Sequence, residues 1–232
     1  MFKYIERFFA EISKKRVPVL IIDELQVIGD LKIDGLLVYK LFNFFVRLTK
    51  ELHLAHVFVV TSDSLFLEQV YIETVLKGRC RYLLVDDFDY ETTAAFLKGY
   101  DITCEDARVA WEYCGGKPVC LVELINCRNR EEKAKEMFTF RIGELETQLK
   151  LVKELGDEIM IGSKRCDVHY EKLVSALKMF VKRDEIGMNE VDEVSKRYLV
   201  KENILFVDPL TAMIAPQSML DLSAIREVMR DA

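Results

Sequence analysis

The run Val17-Pro-Val-Leu-Ile-Ile22 ends abruptly in two adjacent carboxylates, Asp23 and Glu24. Its aliphatic side chains do not alternate with polar ones, the pattern of a parallel strand covered on both faces. In open α/β sheets, ligand crevices form at the carboxyl ends of such strands. The feature therefore predicts an α/β core with helices over its sheet. It also makes Asp23 and Glu24 the first candidate site residues. The alternative for the pair is plain: two polar residues where a strand meets solvent.

At 232 residues there is room for one large domain or two smaller ones. Half the residues are hydrophobic and 31% are charged, the balance of a globular protein. The net charge of −6 provides no global basic field to draw the chain to nucleic acid. Residues Met1 to Arg7 carry charges where a secretory leader needs an apolar stretch. The greasiest window, Gly35 to Leu48, is broken by Lys40, Asn43 and Arg47 and is too short to span a bilayer. Six cysteines are scattered without C-x-x-C spacing, which argues against a disulfide framework and against a zinc site. Reduced core cysteines fit a cytoplasmic protein. His53, His56 and His169 lack spaced partners, so no histidine metal site is expected. Only five Asn and four Gln against abundant charge point weakly to a thermophile.

Along the chain, Phe2, Ile5, Phe8, Phe9 and Ile12 predict an amphipathic helix before the first strand. A helix is expected over about 35–52. A second apolar run, Val57 to Val60, ends in Thr61-Ser62-Asp63-Ser64, where Ser62 or Ser64 would suit a cap for a short helix over about 64–76. A third run, Tyr82 to Val85, ends at Asp86-Asp87. Strands alternating with helices, each strand ending in polar residues, is the doubly wound α/β pattern. Beyond Asp89 the pattern turns helical, over about 90–99 and 104–114. Gly115-Gly116-Lys117-Pro118 then breaks the chain, with the proline opening the next helix. A charged helix covers about 130–155, and Gly156 and Gly162 bracket a change of domain. Helices over about 168–182 and 190–200 precede two short apolar segments, Ile204–Val207 and Ala212–Ala215, and a last helix over about 221–230. A helix pair followed by two strands predicts a winged helix.

Hydrophobic-run-Asp-Glu is the Walker B pattern of P-loop ATPases. With the polar turn at Thr61-Ser62-Asp63-Ser64, the Gly78-Arg79 pair, the Gly-Gly-x-Pro element at 115–118 and the C-terminal winged helix, the order of motifs resembles the archaeal ATPase family. These are AAA+-like members of the signal-transduction ATPase group. The resemblance covers essentially the whole chain; no single motif in it is specific, and the weight lies in their order. It implies a partial P-loop-type parallel sheet over 1–88, a helical lid and connecting helix over 89–157, and a winged-helix domain over 158–232. It further implies ATP and Mg²⁺ as cofactors, the nucleotide lying between core and lid. Asp23 would hold Mg²⁺ directly or through water, and Glu24 would orient the attacking water. Thr61 would serve as the first sensor and Arg79 as a finger-like residue. Gly116, Lys117 and Pro118 would lie near the adenine. Each has a plainer alternative: a helix-end hydroxyl for Thr61, a surface arginine for Arg79, a turn for Lys117-Pro118.

The sequence departs from that family in two places. No G-x-x-x-x-G-K-[ST] loop occurs in these 232 residues, so the phosphate cradle and its strand are missing from them. Ser62 also stands where a glycine usually follows the threonine. The expectation is an ATP-responsive switch protein, inactive by itself unless a loop is supplied, with a protein partner or a second copy involved. The alternative is a non-enzymatic protein- or DNA-interaction module derived from such an ATPase. DNA binding is not favoured, because Glu190, Asp192 and Glu193 oppose Lys196 and Arg197 on the predicted second helix of the winged helix. No membrane association is expected.

Overall fold

The computed structural model describes residues 2–28, 37–67, 76, 78–162 and 164–230. The chain forms two compact units, residues 1–83 and 84–232.

The first unit opens with α1 (Lys3–Ser13), which buries Phe9. Phe2 stacks on Phe44 at 4.6 Å between ring centroids. Glu6 accepts from Arg47 Nε at 2.9 Å and from Nη2 at 3.2 Å, tying α1 to the end of α2 (Leu37–Val46). Helix α2 runs on into a π turn, Arg47–Glu51. Strands β1 (Val19–Ile22) and β2 (His56–Val59) pair in parallel, from Val19 opposite His56 to Ile22 opposite Val59. Leu20, Ile22, Val57 and Val59 pack with Phe42, Phe44, Phe45 and Leu48.

Among the described residues, the other face of this pair is uncovered. Val19, Ile21, Phe58 and Val60 are each about half exposed or more. The unbroken apolar run of β1 predicted cover on both sides, and among the described residues the chain supplies it on one side. The expected third strand is also corrected. Tyr82 to Val85 enters no helix or sheet among the described residues, and Leu83 and Val85 stand in solvent. Among the described residues, the sheet expected to be doubly wound is a two-stranded pair. Of the short helix predicted over 64–76, residues 64–67 are helical and 68–75 lie outside the described residues.

In the second unit, α3 (Tyr90–Lys98), α4 (Cys104–Cys114) and α5 (Pro118–Ile125) surround a core of Leu97, Ala107, Ala110, Cys114, Leu121 and Leu124. Asp89 caps α3 by accepting from Thr92 N, and Thr103 caps α4 by accepting from Asp106 N. Tyr90 meets Trp111 edge to face at 5.6 Å. Helix α6 (Arg130–Leu155) runs beneath both halves of the unit.

A hairpin follows that the sequence reading did not anticipate: β3 (Asp157–Ile161) and β4 (Lys164–Val168), antiparallel and packed on α8 (Glu193–Lys201). Helix α7 (Tyr170–Lys178), β5 (Ile186–Gly187), α8, β6 (Leu205–Asp208) and β7 (Met213–Pro216) build a small antiparallel sheet of order β5-β7-β6 on two helices. Its core holds Leu173, Leu177, Phe180, Leu199, Leu205 and Ile214, all fully buried. Helix α9 (Met219–Val228) packs along α6. Among the described residues, no helix is long and apolar enough to cross a membrane.

Candidate functional site

Parallel pairing sends the ends of β1 and β2 out on the same side. Ile22 lies opposite Val59, and Val60 N donates to Ile22 O at 2.8 Å. Asp23, Glu24 and Thr61, which follow these ends, therefore emerge together. At Glu24 the backbone takes φ +55°, a left-handed conformation uncommon for a residue with a side chain. Glu24 N donates to Asp23 Oδ1 at 3.0 Å, and Val27 N donates to Glu24 O at 3.1 Å. The turn so formed opens a short 3₁₀ helix, Leu25–Ile28, whose first residue is 4% exposed and anchors it in the core.

A chain of hydrogen bonds joins the two strand ends. Asp63 N donates to Thr61 Oγ1 at 3.1 Å, and Thr61 Oγ1 donates to Gln26 Oε1 at 2.6 Å. Gln26 Nε2 then donates to Glu24 Oε2. Gln26 was not among the candidate residues read from the sequence, because its partner Thr61 is remote in sequence. The helix cap differs from expectation too. Asp63, not a serine, accepts from Leu65 N at 2.9 Å and Phe66 N at 3.0 Å. A carboxylate holds an amide donor more strongly than a hydroxyl does.

Arg79 sits in the turn 78–80, with its N–H on Leu76 O at 2.8 Å and its side chain exposed. Among the described residues, no hydrogen bond or ion pair ties its guanidinium to Asp23, Glu24 or Thr61. No group of three or more His, Cys, Asp or Glu that could hold a metal ion occurs among the described residues. The donor set at the strand ends is two exposed carboxylates, Asp23 and Glu24. That set suits an ion such as Mg²⁺, which takes most of its ligands from water and substrate phosphate.

The Gly-Gly-x-Pro element lies in the second unit and is held by close packing. Phe88 N donates to Gly116 O at 3.0 Å, and a Cβ on Gly116 would meet Phe88 O at 1.8 Å. Gly115 has φ +62°, and its Cβ would meet Met219 Cβ at 2.4 Å. The two glycines thus let the 86–89 segment and the start of α9 close on the element from two sides. Lys117 and Pro118 open α5, with proline at the first turn. Lys117 Nζ lies 3.9 Å from Asp221 Oδ2, and the Asp221 side chain is 2% exposed. Arg141 Nε donates to Asp221 Oδ1 at 2.5 Å, and Ser218 Oγ donates to Asp221 Oδ2. Near Lys117 lies Asp87, whose Oδ2 is buried without a partner among the described residues. Burial raises the Asp87 carboxyl above its usual range; Lys117 opposes the rise, and Asp86 and Asp221 add to it. A groove of about 660 Å³ runs beside Lys117, Cys120, Lys133, Arg141 and Leu220.

Comparison with known proteins divides the chain at a different place, after the Gly-Gly-x-Pro element. Residues 1–124 match the family model described as an ATPase domain predominantly from Archaea. Residues 131–229 match the C-terminal domain of the uncharacterized ATP-binding proteins resembling MJ1010. An uncharacterized ATP-binding protein of Methanocaldococcus jannaschii, MJ1659, is 47% identical over 231 residues, covering 99% of this chain and 62% of the relative. One of Pyrococcus abyssi, PYRAB12000, is 48% identical over 228 residues, covering 97% of this chain and 65% of the relative. The chain thus spans less than two thirds of the length of these relatives. Among solved structures, the C-terminal domain of a possible ATP-binding protein from M. jannaschii is similar at 28% identity and a TM-score of 0.41. That likeness covers 42% of this chain and 95% of the other.

Proposed function

The chain belongs to the family of ATPase domains found predominantly in Archaea, and on that premise we propose that it is part of an ATP-responsive switch protein. The observation that carries the reading is the meeting of Asp23, Glu24 and Thr61 at one end of a parallel strand pair. In this reading Asp23 holds Mg²⁺, directly or through water, and Glu24 orients and polarises a water molecule toward a phosphate. Thr61 senses the state of that end of the sheet through its hydroxyl. When bound, Mg²⁺ supplies charge neutralisation for the phosphates.

These 232 residues contain no Gly-rich Lys-Thr or Lys-Ser loop, so the phosphate cradle has to come from another segment or chain. The bare apolar face carrying Val19, Ile21, Phe58 and Val60 supports the same reading, because parallel pairs are normally covered on both sides. We read residues 158–232 as a winged helix that packs on protein rather than on duplex DNA. Lys196 is nearly buried and pairs with Glu193 at 2.8 Å, and Arg197 pairs with the same carboxylate. Of the α8 cations this leaves Lys201, in the last turn, to face a phosphate backbone.

Calorimetric titration with Mg-ATP tests the reading. The 232-residue chain is expected to bind more weakly than ~10 μM, about −7 kcal/mol. A chimera carrying the remaining part of the M. jannaschii relative is expected to bind more tightly than that. Weak binding by a folded chimera would contradict the proposal.

A further inference from the structure

We propose that Gln26 is the positioning residue of this site: its side-chain amide ties the Thr61 hydroxyl to the Glu24 carboxylate, so that the orientation of Glu24 answers to residue 61. The inference rests on the reading of Glu24 as the water-orienting group.

The direction of the hydrogen bonds follows from what each group can do. An ionised carboxylate only accepts, so Gln26 must turn its NH₂ toward Glu24. Its carbonyl oxygen then faces Thr61 and accepts. Thr61 Oγ1 receives the backbone N–H of Asp63, and its own hydrogen is free to go to Gln26. The run Asp63 N–H, Thr61 O–H, Gln26 amide, Glu24 carboxylate therefore has one polarity from end to end. Among the described residues, the hydrogen-bonded path from Thr61 to Glu24 runs through Gln26.

Both ends of the run are fixed to backbone. Asp63 also accepts from Leu65 N and Phe66 N, which holds the turn after β2. Glu24 sits in a left-handed turn closed by Asp23, and the buried Leu25 pins the 3₁₀ helix that presents Gln26. Glutamine suits the position because it offers an acceptor on one side and a donor on the other. Glutamate would set a second negative charge against Glu24, and an aliphatic side chain would break the run. A shift of Thr61 would thus pull on the Glu24 carboxylate without touching it.

The test is solution NMR of the complete 232-residue chain without nucleotide, read at the Gln26 side-chain NH₂ and at the Glu24 side-chain carboxyl carbon. Hydrogen exchange of the Gln26 NH₂ is expected to be slowed roughly tenfold relative to a free amide, the effect of about 1.4 kcal/mol of hydrogen bonding. Thr61→Val should abolish that protection and move the Glu24 resonance, and Thr61→Ser should preserve both. In a Gln26→Ala background, Thr61→Val should leave the Glu24 resonance where it is. If Gln26→Ala disturbs the backbone amide spectrum, Gln26→Met, close in shape, takes its place. A Glu24 resonance that ignores Thr61→Val in the otherwise unaltered chain would overturn the proposal. So would one that responds equally with and without Gln26. No nucleotide enters the measurement, so its failure leaves the ATP-switch reading standing. Failure of the ATP titration leaves the Gln26 link standing.

Discussion

Gly116 accepts the backbone N–H of Phe88 at 3.0 Å, and its missing side chain leaves the space that the Phe88 carbonyl fills. A methyl group there would lie 1.8 Å from that oxygen, well inside van der Waals contact. Backbone cannot swing away as a flexible side chain can. Gly116→Ala should therefore destabilise the second unit by about 2–4 kcal/mol. Gly115→Ala meets Met219 and a positive φ, and should cost about 1–3 kcal/mol. Urea denaturation followed by circular dichroism reads both. An unchanged midpoint for Gly116→Ala would show that the two segments do not approach in this way.

The Asp221 carboxylate carries the second prediction. It is buried, it takes a charge-assisted bond from Arg141, and it receives the Ser218 hydroxyl at the cap of α9. Removing one member of a buried pair strands the other, at a cost of about 3–5 kcal/mol. Asp221→Ala should fall in that range. The double variant Asp221→Leu with Arg141→Met should cost clearly less than the two single changes added together. Simple additivity in chemical denaturation would mean that the two side chains are not coupled.

Asp87 gives a pH dependence. Burial is the main cause that raises its carboxyl in the folded chain, with Asp86 and Asp221 adding and Lys117 opposing. A raised folded-state pKa means that folding favours the protonated form. The stabilisation is complete below the unfolded-state pKa and is lost as the pH rises through the folded value. At neutral pH the ionised group is a burden, so Asp87→Asn should be more stable than the unaltered chain at pH 7. The advantage should shrink as the pH falls through the carboxylate range. Melting temperatures across that range test this, and an advantage that grows on acidification would reverse the sign.

Much of the helical frame was legible, because helix ends announce themselves. Asp89, Thr103 and Asn129 each accept from an N–H of the first turn at a predicted start. The β3–β4 hairpin was not legible: in Asp157–Ile161 and Lys164–Val168, only Ile159 and Val168 are buried, so no apolar alternation marks the strands. Tyr82–Val85 misled in the opposite way, being apolar enough for a strand yet part of no sheet among the described residues. The meeting of Asp23, Glu24 and Thr61 at one end of the strand pair was legible because they follow two apolar runs that pair in parallel. Gln26 was not, because its meaning depends on a hydroxyl delivered by β2. The Gly115-Gly116 pair was readable as an element, but its packing against Phe88 and Met219 needed the tertiary structure.

Duplex DNA offers the fourth prediction. Of the three α8 cations, Lys196 and Arg197 are engaged by Glu193, which leaves the exposed Lys201, so few phosphates can be neutralised there. In fluorescence anisotropy at physiological salt, the full chain should bind random duplex no more tightly than ~1 μM, the upper end of non-specific affinity, and with a shallow salt slope. Binding below ~100 nM, in the approach to specific binders, would contradict the protein-contact reading.

The central claim is that Glu24 orients water at the end of the β1–β2 pair. Its most direct test is the chimera with the rest of the M. jannaschii relative, compared with the same protein carrying Glu24→Gln. Mg-ATP binding and single-turnover hydrolysis are measured on both. The account predicts near-equal binding and a loss of hydrolysis of at least ~100-fold, the scale of removing one positioned general base. Hydrolysis that survives Glu24→Gln, or a parallel loss of binding and turnover, would contradict it.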